Sequence, residues 1–418
     1  MPEPHDSGPL SGYRVLDLTG SRGQLCGRLL CELGADVIKV EPRVGDPARD
    51  LGPFYRSDEG PEHSLWWWAM NAGKRSITCE LRLEAGREML RKLAEKSDFF
   101  IETFTPGTTR EMKLDYASLA ERNPGIIVVS ITPFGLTGPH ANWAATDIVA
   151  SAAGGHMHLN GDEKNGPVRS LPPQAYAQVS AQAAVGALTA LYARPALEGR
   201  GQHVDVSMQE AMTLAMDNAQ QTWDIRKVNI TGPGVRRNIG GFVGMRYLYQ
   251  TADGWVTALQ AGGLVGPNAN TMIDWLAASG EAGELDSPAW RERLSAQQPL
   301  TEEERALVEE RLSAFCRTRR KLDLVEGAQA RGAGWAPVFT PGDLVESAHL
   351  RDREYWIRVQ HEDIGESFVY PGPPFRLSET PWRQRGRAPH IGEHNSEVYA
   401  ELGLTEQDLR RLKLRMVV

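Results

Sequence analysis

The first part of the chain contains the pattern that most restricts its fold. Residues 13–19 (YRVLDLT) predict a buried strand, a glycine-rich turn follows, and residues 28–33 (RLLCEL) predict a helix that ends at Gly34. Residues 35–42 (ADVIKVEP) predict a second strand. This order is that of a βαβ unit, so the sequence predicts an α/β fold with a parallel sheet and a ligand site at the carboxyl ends of the strands. The turn lacks the spacing G-x-G-x-x-G and therefore does not by itself predict a dinucleotide site.

Strands and helices continue to alternate as far as residue 132. The predicted elements are a strand after the basic turn within 71–82, a helix over 84–96, a strand over 97–104, a helix over 116–122 and a strand over 125–132. Four basic residues lie where this pattern places strand ends, and a polyphosphate could bind among them: Lys74, Arg75, Arg82 and Arg110. For each of the four, a solvated position on the surface is an equally good interpretation.

A helix rich in alanine follows Pro172 and Pro173 and continues for about twenty residues without proline. Its small residues leave a face that another backbone or a flat ligand could approach closely: Ala177, Ser180, Ala184 and Ala187. A buried core helix explains the same composition. The start of a helix carries unpaired N–H groups and a positive partial charge, so it favours a carboxylate or a thiolate nearby. In this chain Tyr176 occupies that position.

Composition and charge exclude several classes of protein. The 418-residue chain is 41% hydrophobic with 42 Gly and 26 Pro, which suits two or three globular domains. Its net charge of −8 argues against nucleic-acid binding, although a local basic patch for phosphates is compatible with it. The apolar runs are shorter than the roughly 20 residues that cross a bilayer, and the polar, acidic N-terminus is unlike a signal peptide, so we expect no membrane partner. The cysteines are scattered without metal-ligand spacing and predict a reducing cytoplasm and no metal site: Cys26, Cys31, Cys79 and Cys316.

The chain is expected to divide into three segments. Residues 1–225 hold the alternating elements of a large domain, and residues 226–350 predict a smaller α+β domain with a hairpin. The hairpin is expected to turn at Asp253 and Gly254. Residues 351–418 begin with an extended, Pro-rich stretch and end with a helix. Such a stretch has no core of its own, so we expect it to return to the large domain or to pack on a partner.

Several short motifs occur in order along the chain: GYRVLDLT, LGADVIKVEP, NAGKRSI, LDYASLAERNP, FGLTGP, GRGQHVDVSMQEA and IGEHN. Together they resemble the class III CoA-transferase family, the carnitine and bile-acid type that includes formyl-CoA transferase and α-methylacyl-CoA racemase. The resemblance extends from about residue 12 to the C-terminus. It implies a doubly wound, Rossmann-like large domain built from both chain ends, a smaller α+β domain, and an interlocked dimer whose subunits are threaded through each other.

The resemblance also implies the ligands. The substrates would be an acyl-CoA and a free carboxylic acid, and no cofactor would be bound permanently. Adenine and phosphates of CoA would lie near residues 79–82 and 103–104. The residues that we expect to bind CoA are Arg43, Lys74, Arg75, Cys79, Arg82, Thr103, Phe104 and Arg110. Thr103 stands where the family motif usually has Asn, and this difference would alter one contact to CoA.

In the family, an Asp at the start of the alanine-rich helix performs the transfer. Its carboxylate attacks the thioester to form a mixed anhydride, and the released CoA thiolate attacks the carbonyl carbon of the enzyme, which then carries CoA as an aspartyl thioester. The acceptor acid reverses both steps. That Asp lies ten residues before a helix glycine, and ten residues before Gly186 this chain has Tyr176, which has no carboxyl carbon. The two residues of the racemase pair would match Thr146 and Tyr176, so neither is retained, whereas Asp147 is an acid that remains.

Three hypotheses follow from this substitution. In the first, the chain is active alone, either with Asp147 as the nucleophile or with direct attack by the acceptor acid while Tyr176 donates to the oxyanion. In the second, which we favour slightly, it is the non-nucleophilic subunit of a heteromer with an Asp-bearing paralogue. Benzylsuccinate-type CoA-transferases are similar in this respect, because they combine a competent and a deficient chain. The third and least favoured hypothesis is a 2-methylacyl-CoA racemase or epimerase. The first two share CoA transfer from a succinyl-CoA-like donor to a carboxylic acid that the sequence does not identify.

Overall fold

A parallel sheet of six strands forms the centre of the large part of the chain. The computed structural model describes residues 8–162, 166–216, 218–232, 234–239, 242–258, 265, 268–383 and 385–418. The strands of the sheet are β1 (Arg14–Leu18), β2 (Asp36–Glu41), β3 (Arg75–Thr78), β4 (Phe99–Glu102), β5 (Ile127–Thr132) and β6 (His203–Ser207). Neighbouring strands pair in the order β3-β2-β1-β4-β5-β6, and every pairing is parallel.

Helices connect these strands. They are α1 (Gln24–Glu32), α2 (Leu65–Asn71), α3 (Glu84–Ala94), α4 (Asp147–Ala153), α5 (Gln174–Ala193) and α6 (Met208–Leu214), with the short helices Thr108–Glu111 and Tyr116–Ala120 between α3 and α4. The predicted strands and helices of this region are confirmed, with the difference that α1 begins at Gln24 and not at residue 28. The strand order is that of a doubly wound fold, so the predicted α/β class is confirmed.

The C-terminal part of the chain returns to the same sheet. It contains a hairpin and two helices: Trp356–His361, Glu366–Pro371, Asn395–Ala400 and Glu406–Leu414. The N–H of His394 donates to the carbonyl of Ser76 (2.9 Å), and the hydroxyl of Tyr399 donates to the carbonyl of Thr78 (2.7 Å). These bonds satisfy groups of the edge strand β3 that would otherwise be exposed for pairing with another strand. The large domain is therefore built from both ends of the chain, as predicted.

Each face of the sheet has its own hydrophobic core, because successive side chains of a strand point to opposite faces. On one face, Val15, Ile101 and Val129 pack together with residues of α1 and α5. On the other face, Leu16 and Phe100 pack with α3 and with the C-terminal helices. A parallel sheet is stable when both faces are covered in this way. The alanine-rich helix α5 is thus a core helix, since seven of its residues are buried.

The chain divides into two compact units. The first comprises the residues up to His156 together with Ser170–Ala215 and Ala348–Val418, and the second comprises Met157–Arg169 and Met216–Ser347. The second unit has an antiparallel sheet of three strands and a helical layer: Leu248–Thr251, Gly254–Ala258 and Trp335–Val338 form the sheet, and Ala269–Ala278, Pro288–Ser295, Glu302–Arg317, Lys321–Gln329 and Pro341–Glu346 are helices. The predicted hairpin is present, but its turn is Ala252 and Asp253, since Gly254 already pairs with Thr251.

The rest of the second unit consists of short elements, namely His156–Leu159 at its border, the two-residue strands Gly161–Asp162 and Gly166–Pro167, the helix Ala219–Arg226, and the strand pair Arg236–Ile239 and Phe242–Arg246. The glycine-rich stretch 232–244 lies partly here, but Pro233, Gly240 and Gly241 are outside the described residues. In the described part of the chain, no helix has the length and apolar character that a membrane span requires.

Candidate functional site

The strand order reverses between β1 and β4, and the carboxyl ends of these two strands meet at one edge of the sheet. The chain leaves β1 toward α1, whereas β4 leads toward β5 in the opposite direction along the sheet. This point of reversal is where open α/β sheets bind ligands, because the two connecting loops diverge and leave a crevice. The loops that follow β1 and β4 are in contact, since the N–H of Gly20 donates to Oγ1 of Thr103 (2.8 Å).

A cavity of about 540 Å³ opens at this edge, beyond the carboxyl ends of β1, β2 and β3. It is lined by Leu18, Gly20, Val40, Glu41, Pro42, Asp46, Pro47, Cys79, Glu80, Leu81, Arg82, Arg87, Thr103, Phe104, Thr108 and Met112. Four of the predicted CoA-binding residues are therefore brought together here: Cys79, Arg82, Thr103 and Phe104. The lining combines apolar side chains with the charged groups of Glu41, Asp46, Glu80, Arg82 and Arg87.

Arg82 does not stand free beside the cavity. Its guanidinium forms two hydrogen bonds to Glu80, from Nε to Oε1 (2.8 Å) and from Nη2 to Oε2 (2.6 Å). These bonds, with a smaller contribution from the charge of Arg43, lower the pKa of Glu80 to about 2, although its partial burial acts in the opposite direction. The side chain of Arg82 is 88% exposed, so a phosphate could replace or join Glu80 at its outer edge. Arg43 is exposed and close enough to act on Glu80, but it does not line the cavity.

Cys79 and Phe104 form part of the apolar wall. The thiol of Cys79 is buried and donates to the carbonyl of Gly86 (3.3 Å), and burial raises its pKa to about 12. A thiol in this state packs and does not react. The N–H of Phe104 donates to Oε2 of Glu102 (2.6 Å), which orients the aromatic side chain toward the cavity wall. Burial raises the pKa of Glu102 to about 7, against the opposing effects of this hydrogen bond and of Ser130.

The expectation that all four basic residues gather at one set of strand ends is wrong for Lys74 and Arg75, which lie at the opposite edge, where β3 begins. Lys74 is buried, and its Nζ donates to Oδ2 of Asp17 (2.7 Å) and to two further oxygens, those of the Gln24 carbonyl and the Asn71 amide (both 2.8 Å). All three of its donors are used, so no proton is left for a phosphate.

Arg75 is held by carboxylates at that same edge. It donates from Nε to Oδ1 of Asp36 (2.9 Å), from Nη2 to Oδ2 of Asp36 (2.6 Å) and from Nη1 to Glu397 (3.0 Å). The bidentate bond to Asp36 holds the guanidinium against β2, and the bond to Glu397 joins it to the helix Asn395–Ala400, so this cation links the sheet and the C-terminal helix. Arg110 is exposed on the short helix Thr108–Glu111, whose first residue lines the cavity.

The position that the resemblance assigns to the family nucleophile, that of Tyr176, lies at the start of α5. Tyr176 is half-buried and packs against the core beneath α5. Asp147 begins α4 and reaches across to this helix start, where its Oδ1 accepts from the N–H of Ala175 (2.8 Å) and, more weakly, from that of Tyr176 (3.4 Å). The structure therefore brings the two predicted catalytic positions together, 29 residues apart in sequence.

The geometry of Asp147 is that of a cap for α5. Pro173 precedes the helix and provides no side-chain cap, so the carboxylate of Asp147 supplies the negative charge that a helix start favours. The residue is 6% exposed, and its second oxygen, Oδ2, is buried without a hydrogen-bond partner among the described residues. The N–H groups that would otherwise bind a substrate anion are thus already occupied by a carboxylate of the chain itself.

Sequence reasoning missed four charged residues of the cavity, Glu41, Asp46, Glu80 and Arg87. Arg87 lies on the first turns of α3 and donates from Nη1 to the carbonyl of Leu81 (3.0 Å). A basic residue just after a strand end is a recognisable signal, whereas nothing in the sequence singles out Glu80. Among the described residues, no group of three or more His, Cys, Asp or Glu side chains is arranged to hold a metal ion.

Residues 10–395 match the sequence model of CoA-transferase family III. The succinyl-CoA:(R)-benzylsuccinate CoA-transferase subunit BbsE of Thauera aromatica is 34% identical over 408 residues, which cover 97% of this chain and 97% of that protein. The succinyl-CoA–D-citramalate CoA-transferase of Chloroflexus aurantiacus is 32% identical over 418 residues and covers 98% of each chain.

The fold agrees with these sequences. A CaiB/BaiF family protein from Brucella suis, solved by crystallography, superposes with a TM-score of 0.81 at 28% identity, and the match covers 95% of this chain and 100% of the other. The family model and the relatives span nearly the whole chain, and the switch-point cavity and α5 both lie within the matched region. The chain therefore belongs to CoA-transferase family III, the family that its motifs resemble, and it is a CoA-transferase or a subunit of one.

Proposed function

We propose that this chain is the non-nucleophilic subunit of a CoA-transferase that moves CoA from a succinyl-CoA-like donor to a free carboxylic acid. The observation that carries the proposal is Tyr176, which stands as the third residue of α5. A phenol can accept an acyl group but has no carboxyl carbon on which CoA could be held as a thioester. The relatives named for succinyl-CoA support the donor class, and the similarity to a protein named as a subunit supports a second chain.

The CoA moiety is placed in the switch-point cavity. Arg82 and Arg43 supply positive charge for the phosphates, with Arg110 on the adjoining short helix. The apolar wall around Phe104 and Cys79 suits the adenine ring, which stacks on or packs against apolar side chains. Thr103 accepts from the Gly20 N–H, and the same loop contacts α5 two residues later through Arg22 and Ser180, so this end of the cavity is connected to α5. The thioester would enter from this end.

One observation favours a second candidate, a stand-alone enzyme with Asp147 as the nucleophile. Oδ2 of Asp147 has no hydrogen-bond partner among the described residues and would be available to attack a carbonyl carbon. Against this, the carboxylate is buried and its other oxygen accepts from two N–H groups, which stabilises the anion and lowers its nucleophilicity. We therefore rank the subunit proposal first.

The partner is proposed to be an Asp-bearing paralogue threaded through this chain, or a second copy of the chain in an interlocked homodimer. Apolar side chains remain uncovered on one face of α5, where Val185 is 58% exposed and Tyr192 is 89% exposed one heptad further on. Leu214, at the end of α6, is 71% exposed. Side chains of this size are normally covered in a functional assembly. All four cysteines are free and buried, and we place the enzyme in the cytoplasm, where thiols remain reduced.

The test uses the chain purified alone and the variants Tyr176→Asp and Tyr176→Phe. The wild-type chain is expected to bind CoA but to show no turnover with succinyl-CoA and a panel of carboxylic acids. Tyr176→Asp is expected to form a covalent CoA adduct, visible by intact mass, whereas the matched control Tyr176→Phe forms none. Rapid ping-pong turnover by the wild-type chain alone would sink the subunit proposal. Light scattering on dilution tests the dimer, because a folded 46.1 kDa monomer at micromolar concentration contradicts interlocking.

A further inference from the structure

One arginine at the switch point is not used by the cavity or by the nucleophile position. Arg22 lies in the loop between β1 and α1 and is half-buried. At one side of this loop Gly20 donates to Thr103 (2.8 Å), and at the other side the hydroxyl of Ser180 donates to the carbonyl of Arg22 (3.2 Å). Ser180 is one turn after Tyr176 and on the same face of α5. The loop of Arg22 therefore connects the cavity, at Thr103, with the face of α5 that carries Tyr176.

The loop that carries Arg22 is held rigidly. The N–H of Gly23 donates to the carbonyl of Gly20 (2.9 Å), which closes a tight turn around Arg22. A Cβ atom on Gly23 would lie 2.8 Å from Cγ2 of Thr103, so this backbone packs as closely as a glycine allows. The backbone that carries Arg22 is therefore positioned in advance of ligand binding, which lowers the entropic cost of recognition.

The guanidinium of Arg22 has no hydrogen bond or ion pair to any of the residues that the structure describes. The carboxylate that its charge affects is that of Glu102, whose oxygens already accept from the Phe104 N–H and the Ser130 hydroxyl. Burial raises the pKa of Glu102 to about 7, so at neutral pH this carboxyl is only partly ionised and leaves the charge of Arg22 incompletely compensated. By contrast, Arg75 and Arg82, at the two edges of the sheet, each have a carboxylate in bidentate contact.

We propose that Arg22 binds the terminal carboxylate of a dicarboxylic acyl group, and so selects dicarboxylic substrates for transfer. This inference rests on the proposed function, because it assumes that the thioester enters from the cavity toward α5. The planar guanidinium presents paired N–H donors that match a carboxylate, and an arginine without a carboxylate partner among the described residues is well suited to such a contact. An acyl chain that ends in a methyl group offers this arginine no partner.

The test compares CoA, succinyl-CoA and butyryl-CoA in calorimetric titrations of the purified full chain. Succinyl and butyryl groups have the same chain length, and the terminal carboxylate of the first is a methyl group in the second. The wild-type chain is expected to bind succinyl-CoA about tenfold more tightly than butyryl-CoA. Arg22→Gln is expected to reduce this ratio to about one while the Kd for CoA stays within about twofold. Arg22→Lys is expected to give an intermediate ratio, since it keeps the charge without the fork.

The control is Arg200→Gln, an exposed arginine beyond α5, which should keep the wild-type ratio. Titration of succinate into CoA-saturated protein distinguishes the two sources of the carboxylate. A loss confined to succinyl-CoA assigns Arg22 to the donor, and a loss for succinate as well assigns it to both acids. If CoA binds but the succinyl preference is absent, or survives in both Arg22 variants, the inference is wrong. If the wild-type chain does not bind CoA, the proposed function itself fails.

Discussion

Replacement of Asp147 tests whether this carboxylate is a helix cap or a nucleophile. In Asp147→Ala the N–H groups of Ala175 and Tyr176 lose their acceptor, and Ala175 is fully buried, so water does not replace it. Loss of a helix cap costs about 1 kcal/mol, and a buried donor left without a partner costs ~1–3 kcal/mol. Because these two estimates describe overlapping effects, we expect Asp147→Ala to destabilise the first unit by less than their sum, about 2–3 kcal/mol.

Asp147→Asn is the matched control, because its amide oxygen can still accept from the same N–H groups. It loses only the charge of the acceptor and its attraction to the helix start, so we expect a cost of about 1 kcal/mol. The assay is equilibrium unfolding in urea, followed by tryptophan fluorescence, with the difference in midpoint multiplied by a common m-value. Equal midpoints for Asp147→Ala and Asp147→Asn would refute the capping argument.

The same pair of variants addresses the nucleophile. If Asp147 is only a cap, incubation of the wild-type chain with succinyl-CoA leaves no CoA adduct at this position, and intact mass followed by peptide mapping should show none. An adduct mapped to Asp147 that disappears in Asp147→Asn, without a matching loss of stability, would overturn the assignment and establish the stand-alone mechanism.

Three further predictions concern other sites. Both polar atoms of the Gln24 side chain are buried without a hydrogen-bond partner among the described residues. Gln24→Met should therefore raise the free energy of unfolding by about 1–2 kcal/mol, whereas Gln24→Glu, which buries a charge, should lower it. Burial raises the pKa of Glu102 from 4.5 to about 7, so the folded chain binds more protons than the unfolded chain between these values, and this group makes the protein less stable as pH rises through that window. In this window Glu102→Gln should remove a downward slope of the free energy of unfolding against pH, of at most about 1.4 kcal/mol per pH unit. If the variant and the wild-type chain have the same dependence of stability on pH, the carboxyl of Glu102 is ionised in the folded chain. Arg82→Gln should weaken CoA binding about three- to tenfold and reduce its salt dependence, whereas Arg75→Gln should change the Kd less than twofold, and equal effects of the two would place CoA elsewhere.

The alternation of strands and helices could be predicted because it depends on local spacing. Short apolar runs identify β1 and β5, and the breaks at glycine and proline limit their length without any knowledge of distant residues. The family resemblance then supplied the doubly wound class and the return of the C-terminal segment to the large domain, whereas the strand order and the pairing with β3 came from the structure.

The site depended on contacts that only the tertiary structure decides. Lys74 and Arg82 are both basic residues near β3, but three oxygens converge on the first and remove it from solvent, while the second lies at the carboxyl end and remains exposed. The contact of Asp147 with the start of α5 and the position of Arg22 between Thr103 and Ser180 join parts of the chain that are far apart in sequence. The charge of a side chain is a property of the sequence, but its partner depends on which distant backbone groups the packed sheet and helices bring within hydrogen-bond distance.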